Sequence, residues 1–501
     1  MVELTRRNVL ALGAGGLAWP AVGRAQTPRR PENVLFICID DLNEWIGCLD
    51  STQPATRTPN MDKLAASGTL FRHAYTPVPT CKPAREAVLR GLHSRRTGVY
   101  TKEDTVPGWL RGRTNIPRLF RKAGYRSLGG GKLFHGQFYY AGLNTLGQRS
   151  APWEEEYAQR EDWDEFHHFD YECLPSPWPA AGIDRKEFDW GAAPPGHPTP
   201  DDGLVEWATG LLKQPSSKPF FLGVGLYKPH IPWYAPKEFV DLIDEKDVQM
   251  PDNPAAAMKT LYPAYDSSIF RDPIEHKGLV RSAIRGYLAT IAFCDHHVGR
   301  IIDALRAGPH ADNTHVVLWS DNGLHLGEKR QWGKQTLWEQ STHVPMIIVP
   351  AGGRPGQRVD QCVSTIDLMR TLCAMAGISA PADVDGHDLS PLLQAPDTPW
   401  RFPAISTKAP DSVSLRYGPY RYTRYAKGAV ELYDHRDDPK EWHNRADDEA
   451  YAPVTRQFKA LFPKHFVEST RGPLMTKFHR RWDNYVDWLD TAISFSDPCD
   501  S

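Results

Sequence analysis

The sequence predicts an α/β fold built on a mainly parallel β-sheet. Three nearly continuous apolar runs, at residues 33–39, 220–226 and 315–319, are typical of central parallel strands, which are covered on both faces. Segments with helical spacing separate these runs, and the longest of them spans residues 279–307. Strands that alternate with helices along a chain indicate a parallel sheet flanked by helices.

The N-terminal half supplies the first strand and helix. Residues 33–39 predict a strand that Asp40 and Asp41 follow directly. Residues 58–68 predict a helix with Thr58 as its N-cap, because threonine oxygens accept hydrogen bonds from the first helical N–H groups. The remaining elements of this half are a helix over residues 117–122 and a strand over residues 125–130.

The second half of the sheet begins with the strands at 220–226 and 315–319. Asp321 and Asn322 come just after the second of these strands. Ligands of parallel sheets bind beyond the carboxyl ends of the strands, so we expect these residues to meet Asp40 and Asp41 in one crevice. The other elements are a helix at 279–307, a strand at 345–349 and a helix at 366–376.

The pattern changes from about residue 395. Short aromatic segments separated by Gly, Pro and Asp predict a small antiparallel sheet with flanking helices. We therefore expect a catalytic domain over residues 26–394 and a smaller C-terminal subdomain over residues 395–501. The irregular stretch at 147–200 is interpreted as a long insertion over one face.

Residues 1–25 predict an export signal. Arg6 and Arg7 precede a moderately apolar stretch rich in Ala and Gly, and the small residues Gly23 and Ala25 stand at the −3 and −1 positions of a cleavage site. This segment resembles a bacterial twin-arginine signal, with an ordinary N-terminal helix as the alternative. We expect a periplasmic or secreted protein.

Composition excludes several classes of protein. The chain has 501 residues, with 59 Lys and Arg against 61 Asp and Glu, so its formal net charge is −2. This balance argues against binding to nucleic acid through a basic surface. No apolar run after residue 25 approaches 18 residues, so no transmembrane span is expected in the mature chain. Cys38, Cys294 and Cys373 lie in apolar patterns and are expected in the core.

Cys81 lies in a different setting from these core cysteines. It precedes a proline turn in the sequence Cys81-Lys-Pro-Ala-Arg85, which opens a predicted helix. A helix N-terminus and a nearby arginine would favour an anion at residue 81. The alternative is a cysteine near a turn by chance.

Together with other motifs, this segment resembles the signature of the type I sulfatase family, in which the cysteine is oxidised to formylglycine. Matching motifs follow the order of the family across residues 32–445: Asp40-Asp41, Thr58-Pro-Asn-Met-Asp62, Gly131-Lys-Leu-Phe-His135, Lys228-Pro-His230, Ser320-Asp-Asn-Gly323, Leu326-Gly-Glu328, Trp332-Gly-Lys334 and, in the C-terminal part, Glu431-Leu-Tyr-Asp434 with Asp438-Pro to Trp442. DDLN at 40–43, GKLFHG at 131–136 and KPHIPW at 228–233 are similar to the iduronate-2-sulfatase-like branch. The resemblance implies an alkaline-phosphatase-like fold, with a large mainly parallel sheet and a smaller C-terminal antiparallel subdomain.

The resemblance also implies a metal site. Its ligands would be Asp40, Asp41, Asp321 and Asn322, together with residue 81 after its conversion from Cys81 to formylglycine (3-oxoalanine). Carboxylate and amide oxygens are hard donors that suit Ca²⁺ or Mg²⁺ and not zinc. We expect Ca²⁺, with Mg²⁺ as the alternative.

The remaining matched residues are implied to act on the sulfate ester. Lys132 and Lys334 would bind the sulfate oxygens, and Arg85 would hold the hydrated aldehyde that attacks sulfur. His135 would take a proton from the diol and so expel sulfate from the covalent intermediate. His230 would protonate the leaving alcohol, alone or together with Lys334.

The resemblance therefore implies an exported sulfatase that acts on an O-sulfated sugar of a glycan and is matured by a formylglycine-generating enzyme. His325, close to the second metal motif, is a candidate substrate contact. One alternative is a phosphonate monoester or phosphodiester hydrolase of the same superfamily, and another is a non-catalytic relative that binds sulfated glycans. Arg95-Arg96 predict a solvated face, with contact to an anionic polymer as the alternative.

Overall fold

The computed structural model describes residues 31–135, 161–167, 189–258 and 267–470. The predicted export signal, most of the predicted insertion, Cys173 and Cys499 lie outside these ranges. The strands are β1 (Asn33–Ile39), β2 (Thr69–Tyr75), β3 (Arg126–Gly131), β4 (Glu165–His167), β5 (Trp190–Ala192), β6 (Phe220–Leu226), β7 (Trp233–Ala235), β8 (Thr314–Ser320), β9 (His325–Leu326), β10 (Trp332–Gly333), β11 (His343–Val344), β12 (Met346–Val349), β13 (Gln357–Ser364), β14 (Ala404–Ala409), β15 (Ser412–Tyr417), β16 (Tyr420–Arg424) and β17 (Val430–Asp434).

The α-helices are α1 (Pro59–Ala65), α2 (Cys81–Arg90), α3 (Ser94–Thr97), α4 (Gly108–Arg111), α5 (Ile116–Lys122), α6 (Pro200–Leu212), α7 (Lys237–Asp241), α8 (Ala255–Met258), α9 (Ser268–His276), α10 (Val280–Ala307), α11 (Glu339–Thr342), α12 (Leu368–Met375), α13 (Ser390–Gln394) and α14 (Ala452–Leu461). Short 3₁₀ helices lie at Gly47–Leu49, Glu245–Asp247, Glu328–Arg330, Thr365–Asp367 and Glu449–Tyr451. Among the described residues, no helix combines the length and the apolar character needed to cross a bilayer.

Nine of the described strands form one sheet in the order β11-β2-β12-β8-β1-β6-β3-β4, with β13 added at β2. The centre is parallel, because β1 pairs with β6 and β8, and β3 pairs with β6 and β4. β12 runs antiparallel to β8 and β2, whereas β13 is parallel to β2. The prediction of a mainly parallel sheet is confirmed, and the predicted strand at 345–349 is present with its direction reversed.

The central strand β1 explains why the predicted strands are apolar throughout. Leu35, Ile37 and Ile39 pack into the same core as α6 and α10, whereas Phe36 and Cys38 pack on the other face with α2, α5 and α12. Successive side chains of a strand point to opposite faces. A strand covered by helices on both sides therefore needs an apolar residue at every position.

Several local expectations are corrected. The sequence analysis does not identify β2 and β13, although both belong to the main sheet. Thr58 precedes α1 as predicted, but its hydroxyl accepts a hydrogen bond from the Gly47 N–H at 2.8 Å and none from the helix. The predicted core cysteines are confirmed as buried free thiols: Cys38, Cys294 and Cys373.

The antiparallel C-terminal sheet has the order β14-β15-β16-β17. Val413, Leu415, Tyr422 and Leu432 pack with Phe458 of α14 in a separate core. The predicted C-terminal sheet is confirmed, and β14 is a strand that the sequence analysis does not identify. The described residues from Glu32 onwards form one compact unit, and the domain boundary after residue 394 stays a prediction.

Two glycines allow the end of β3 to approach β6 closely. A Cβ atom at Gly225 would lie 2.2 Å from the carbonyl carbon and oxygen of Lys132, and a Cβ at Gly131 would lie 2.3 Å from the Gly225 oxygen. The Lys132 N–H donates to that same Gly225 oxygen at 2.8 Å. Gly225 therefore provides the space that brings the Lys132 backbone to the edge of the sheet.

We expect Gly225→Ala to destabilise the protein by about 1–3 kcal/mol, because the added methyl group would overlap the Lys132 carbonyl and displace the end of β3. The measurement is the thermal midpoint of unfolding. The control is Gly210→Ala on α6, where an added Cβ meets nothing within 4 Å and helix propensity predicts a gain of up to about 1 kcal/mol. Equal midpoints for Gly225→Ala and the unmodified protein would contradict the close approach of β3 to β6.

Candidate active site

The predicted acidic residues meet at the carboxyl ends of β1 and β8. The last residues of these two parallel strands are partners in the sheet, so the segments that follow them are adjacent. The Asp41 N–H donates to Asp321 Oδ1 at 3.1 Å, and Asn322 Nδ2 donates to Asp41 Oδ1 at 2.8 Å. Asp40, Asp41 and Asp321, here called the carboxylate cluster, bring oxygen atoms within 4.8 Å of one another.

Arg85 connects this cluster to α2. It lies one turn after Cys81, and helical side chains tilt towards the N-terminus, so its guanidinium reaches back to the strand ends. Arg85 Nε donates to Asp321 Oδ2 at 2.7 Å, and one terminal nitrogen lies 3.3 Å from Asp40 Oδ1. The other terminal nitrogen donates to the Lys132 and Leu133 carbonyls. The arginine therefore joins the helix, β8 and the loop after β3.

Two lysines complete the charge balance. The Lys132 ammonium pairs with Asp40, and the Lys334 ammonium pairs with Asp41 and lies 2.6 Å from Cys81 Sγ. Together with Arg85, three cations face the three carboxylates. Buried charges are tolerated when they are paired, which explains how six charged groups fit at one edge of the sheet.

The pKa values of Asp321 and Asp40 are shifted in opposite directions. Burial raises the pKa of Asp321 to about 7 despite the neighbouring Arg85, and the other two carboxylates add to the increase. Burial also acts on Asp40, but Lys132 and His230 hold the pKa of that carboxyl well below its usual value. Burial therefore works against the ionisation of Asp321, even though three cations face the cluster.

The donor set fits a divalent cation. Asn322 Nδ2 donates to Asp41 Oδ1 and to the Gly323 carbonyl, whereas the buried Asn322 Oδ1 accepts no hydrogen bond from the described residues. An orphaned buried oxygen beside three carboxylates is a ready ligand for a hard cation. The residues predicted to bind metal are thus brought together, with Cys81 Sγ 3.8 Å from Asp41 Oδ1.

Cys81 is the first residue of α2 and is only 4% exposed. Burial raises the pKa of its thiol to about 12, although Lys334 and Lys132 oppose this shift. Burial therefore outweighs the nearby cations for the unmodified thiol, and the expectation that the helix N-terminus and Arg85 favour an anion at residue 81 stays a prediction. A neutral thiol is a poor nucleophile.

The Ile231 carbonyl holds His230 in one tautomer, and Tyr227, which was not predicted from the sequence, lies beside it. His230 Nδ1 lies 2.7 Å from the Ile231 carbonyl, which can only accept, and 3.0 Å from the Tyr227 hydroxyl. Nδ1 therefore carries the proton, and Nε2, 3.7 Å from Asp41 Oδ2, presents a lone pair. Burial, with Lys132, lowers the pKa of His230 to about 4, so the imidazole is neutral at neutral pH.

His135 belongs to the same electrostatic environment. Burial, with Lys132 as the next largest cause, lowers its pKa well below the usual value. Asp40 and Arg85 also act on it. His135 is therefore a neutral imidazole that is able to accept a proton, as its predicted role requires.

His325 is placed differently from the other predicted residues. It is fully buried, its Nε2 lies 2.7 Å from Thr336 Oγ1, and its ring meets the edge of Trp338. Lys329 and Glu441, rather than the carboxylate cluster, are the charges that act on its pKa. Its contact with substrate stays a prediction.

The segment that carries Lys334 (residues 327–343, the Lys334 segment) is held from two sides. On the side of Cys81, the Gln335 N–H donates to the Pro79 carbonyl at 3.0 Å. On the other side, Arg421 of β16 pairs with Glu339 and donates to the Leu337 carbonyl at 3.2 Å. The C-terminal sheet therefore contributes directly to the position of a predicted catalytic lysine.

Glu441 strengthens this connection. Its carboxylate accepts from Arg421 Nε and from the Glu339 N–H, the latter at 2.9 Å, and its carbonyl accepts from Lys329 Nζ. Trp338 Nε1 also donates to Glu431 of β17 at 3.1 Å. The sequence analysis does not identify these residues, because ion pairs between distant segments leave no periodic signal.

We expect Glu441→Gln to lower the free energy of unfolding by about 3 kcal/mol at neutral pH, because it leaves the buried Arg421 with one fewer partner charge. Burial opposes ionisation of Glu441, but Arg421 lowers its pKa from 4.5 to about 2. An acid with a lowered folded-state pKa stabilises the fold above its unfolded pKa, and this contribution is lost as the pH falls towards about 2. The difference between variant and unmodified protein should therefore shrink as the pH falls below about 4.5.

Thermal midpoints measured over this pH range test the expectation. Glu449→Gln is the control, since Glu449 is an exposed glutamate of the same subdomain. A midpoint difference for Glu441→Gln that stays constant down to about pH 2 would contradict the ion pair with Arg421.

Two family models match the chain. The model described as "Sulfatase" matches residues 32–378, which contain the carboxylate cluster, α2 and the Lys334 segment. The model described as "N-sulphoglucosamine sulphohydrolase, C-terminal" matches residues 327–468. The second match spans the Lys334 segment together with the antiparallel sheet that holds it.

Similar proteins cover most of the chain. A sulfatase of Formosa agariphila is 33% identical over 458 residues, which are 86% of this chain and 86% of that protein. Human iduronate 2-sulfatase is 26% identical over 390 residues, 70% of each chain. The crystal structure of a phosphonate monoester hydrolase of Agrobacterium radiobacter superposes with a TM-score of 0.71 at 21% identity and covers 86% of this chain and 94% of that chain, a likeness of fold.

Proposed function

The chain belongs to the sulfatase family and is a sulfuric ester hydrolase, and we propose that it is an exported enzyme acting on an O-sulfated sugar of a glycan. We further propose that Cys81 is converted to formylglycine. The observation that carries the proposal is the position of Cys81 at the start of α2, with Lys334 at 2.6 Å from its sulfur and the carboxylate cluster beside it.

The charges around Cys81 suit an anionic sulfate ester. Arg85, Lys132 and Lys334 are positive, whereas the carboxylate cluster is negative. Asp40, Asp41, Asp321 and Asn322 would hold Ca²⁺ or Mg²⁺, which supplies the additional positive charge that sulfate oxygens need. In this proposal the ammonium groups of Lys132 and Lys334 bind the sulfate oxygens.

The unmodified thiol does not suit the attack on sulfur, because it is neutral and buried. As a hydrated aldehyde, residue 81 supplies an oxygen nucleophile. Arg85 orients the cluster next to it, and His135, a neutral imidazole, accepts a proton. His230 is oriented by its Nδ1–H and presents a lone pair at Nε2, so its proposed transfer of a proton to the leaving alcohol requires Nε2 to take up that proton first, and the ammonium group of Lys334 is the proposed source.

The proposed substrate class follows from the relatives. The name of human iduronate 2-sulfatase refers to a sulfated sugar acid, and the similarity to that protein spans 70% of this chain. Export follows from the sequence of residues 1–25 and implies action on glycan in the periplasm or outside the cell. A phosphonate monoester hydrolase activity is the second candidate, favoured by the fold likeness at 21% identity.

We expect a peptide containing residue 81 to show replacement of CH₂SH by CHO when the protein is made together with a formylglycine-generating enzyme. This material should release inorganic sulfate from sulfated sugars, whereas Cys81→Ala should release none, because it lacks the nucleophile. The measurements are peptide mass spectrometry and sulfate release. Cys48→Ala, which changes a partly buried cysteine on another segment, is the control and should retain activity.

Substrate comparison separates the two candidate functions. An aryl sulfate and an aryl phosphonate monoester are offered to the same matured protein, and the two values of kcat/KM are compared. A higher kcat/KM for the sulfate supports the proposal. A clear preference for the phosphonate, or an unmodified thiol in active protein, would overturn it.

Removal of divalent metal tests the proposed metal site. We expect a chelator to abolish activity and Ca²⁺ or Mg²⁺ to restore it. The same ion should raise the thermal midpoint, because a ligand at a hundred-fold excess over its Kd stabilises the folded state by about 2.7 kcal/mol.

Asp321→Asn should lose the metal-dependent increase in thermal midpoint. Asp303→Asn, which changes an exposed residue of α10, should keep it. A midpoint of the unmodified protein that responds to neither ion would contradict the metal site.

A further inference from the structure

A cavity with polar and apolar walls lies at the opposite end of α2 from Cys81. Its volume is about 260 Å³, and His93, Arg95, Asp385, His387, Trp400 and Phe402 contribute to its walls. The ten residues of α2 at 1.5 Å each span about 15 Å, so the cavity is well separated from Cys81. None of the residues of the carboxylate cluster lines it.

Three aromatic side chains form one wall of this cavity. The His387 ring is stacked on Phe402 with centroids 3.6 Å apart, and Trp400 meets both rings edge-on, at 6.0 and 5.1 Å. These contacts fix the rings relative to one another. Preorganised aromatic groups bind the C–H faces of a ring at a low cost in conformational entropy.

The opposite wall offers polar groups that the protein leaves unsatisfied. His93 is only 5% exposed, and its Nδ1 has no hydrogen-bond partner among the described residues. Arg95 Nε is likewise buried without a partner there. Burial, opposed by Asp385, lowers the pKa of His93 to about 4, so its ring is neutral and can bind a hydroxyl group. Unpaired buried polar atoms of this kind indicate a missing ligand or water.

Charged residues line the cavity or lie beside it. Arg95 and Arg96 both contact the carboxylate of Asp385, at 3.3 and 3.1 Å, so two cations share one anion. Burial raises the pKa of Asp367, also in the wall, to about 7, which reduces its negative charge. Arg95-Arg96 is therefore tied to Asp385 and is not the fully solvated pair that the sequence predicts.

We propose that this cavity is a second carbohydrate site that binds one pyranose unit of a sulfated glycan away from the reacting centre. Its volume of about 260 Å³ is below the size of drug-binding pockets and suits a single sugar ring. The proposal rests on the proposed action on glycans, but it concerns a different surface. The site would hold a long substrate while Cys81 acts on another unit.

The test uses the full-length matured protein and two sulfated polysaccharides, heparin and carrageenan. Affinity electrophoresis measures binding, and hydrolysis of a small aryl sulfate reports on the catalytic centre alone. Trp400→Ala removes part of the aromatic wall, and Arg95→Gln removes one positive charge. Trp109→Ala is the matched control, because Trp109 is 56% exposed on α4 and does not line the cavity.

We expect Trp400→Ala and Arg95→Gln to weaken binding of at least one polysaccharide about ten-fold. Trp109→Ala should leave binding unchanged, and all three variants should hydrolyse the aryl sulfate at the normal rate. Thermal midpoints identify a variant that fails to fold, in which case the other cavity variant decides. The proposal is overturned if the unmodified protein binds neither polysaccharide, or if both folded cavity variants bind as the unmodified protein does.

The same data separate this proposal from the proposed function. Binding that depends on Trp400 in a protein without sulfatase turnover would support the cavity and reject the catalytic assignment. The opposite result is sulfatase turnover in a protein whose polysaccharide binding is lost in Cys81→Ala and unchanged in the cavity variants. This result would support the catalytic assignment and overturn the second site.

Discussion

The buried ion pairing at the carboxyl edge of the sheet is the constraint on which the site depends. Three carboxylates are placed side by side because β1 and β8 are parallel neighbours. Such an arrangement would repel itself without Arg85, Lys132 and Lys334, each of which arrives from a different element. The positions of α2, the loop after β3 and the Lys334 segment are therefore linked through charge.

This linkage explains features of the fold that are distant from the reacting residues. Gly225 lets the backbone of Lys132 approach β6, so the Lys132 side chain extends from the edge of the sheet. Lys334 directly follows the two-residue strand β10, which pairs with β9, and the C-terminal sheet holds the rest of its segment through Arg421 and Glu441. The smaller sheet thus helps to position a predicted catalytic lysine, and the C-terminal family match begins at residue 327.

The central strands and the acidic strand ends are predictable from sequence because they depend on local rules. A strand buried on both faces is apolar at each position, as in β1, and polar residues after it mark its carboxyl end. β13 is missed because QRVDQCVS mixes polar and apolar residues and Arg358 and Asp360 are exposed. The roles of Tyr227 and Arg421 depend on partners that only the folded chain brings together, and the protonation of His230 depends on its burial.

The burial of Cys81 constrains the order of events in the proposed maturation. In the folded chain its side chain is 4% exposed and its sulfur is in contact with Lys334, while Arg85 anchors the start of α2 to β8. In the proposed maturation an enzyme must reach this thiol, which the folded chain buries. We therefore infer that conversion would precede the pairing of Arg85 with Asp321. Folding would afterwards enclose the modified residue among the cations, so the same ion pairs that build the site would also protect its reactive aldehyde.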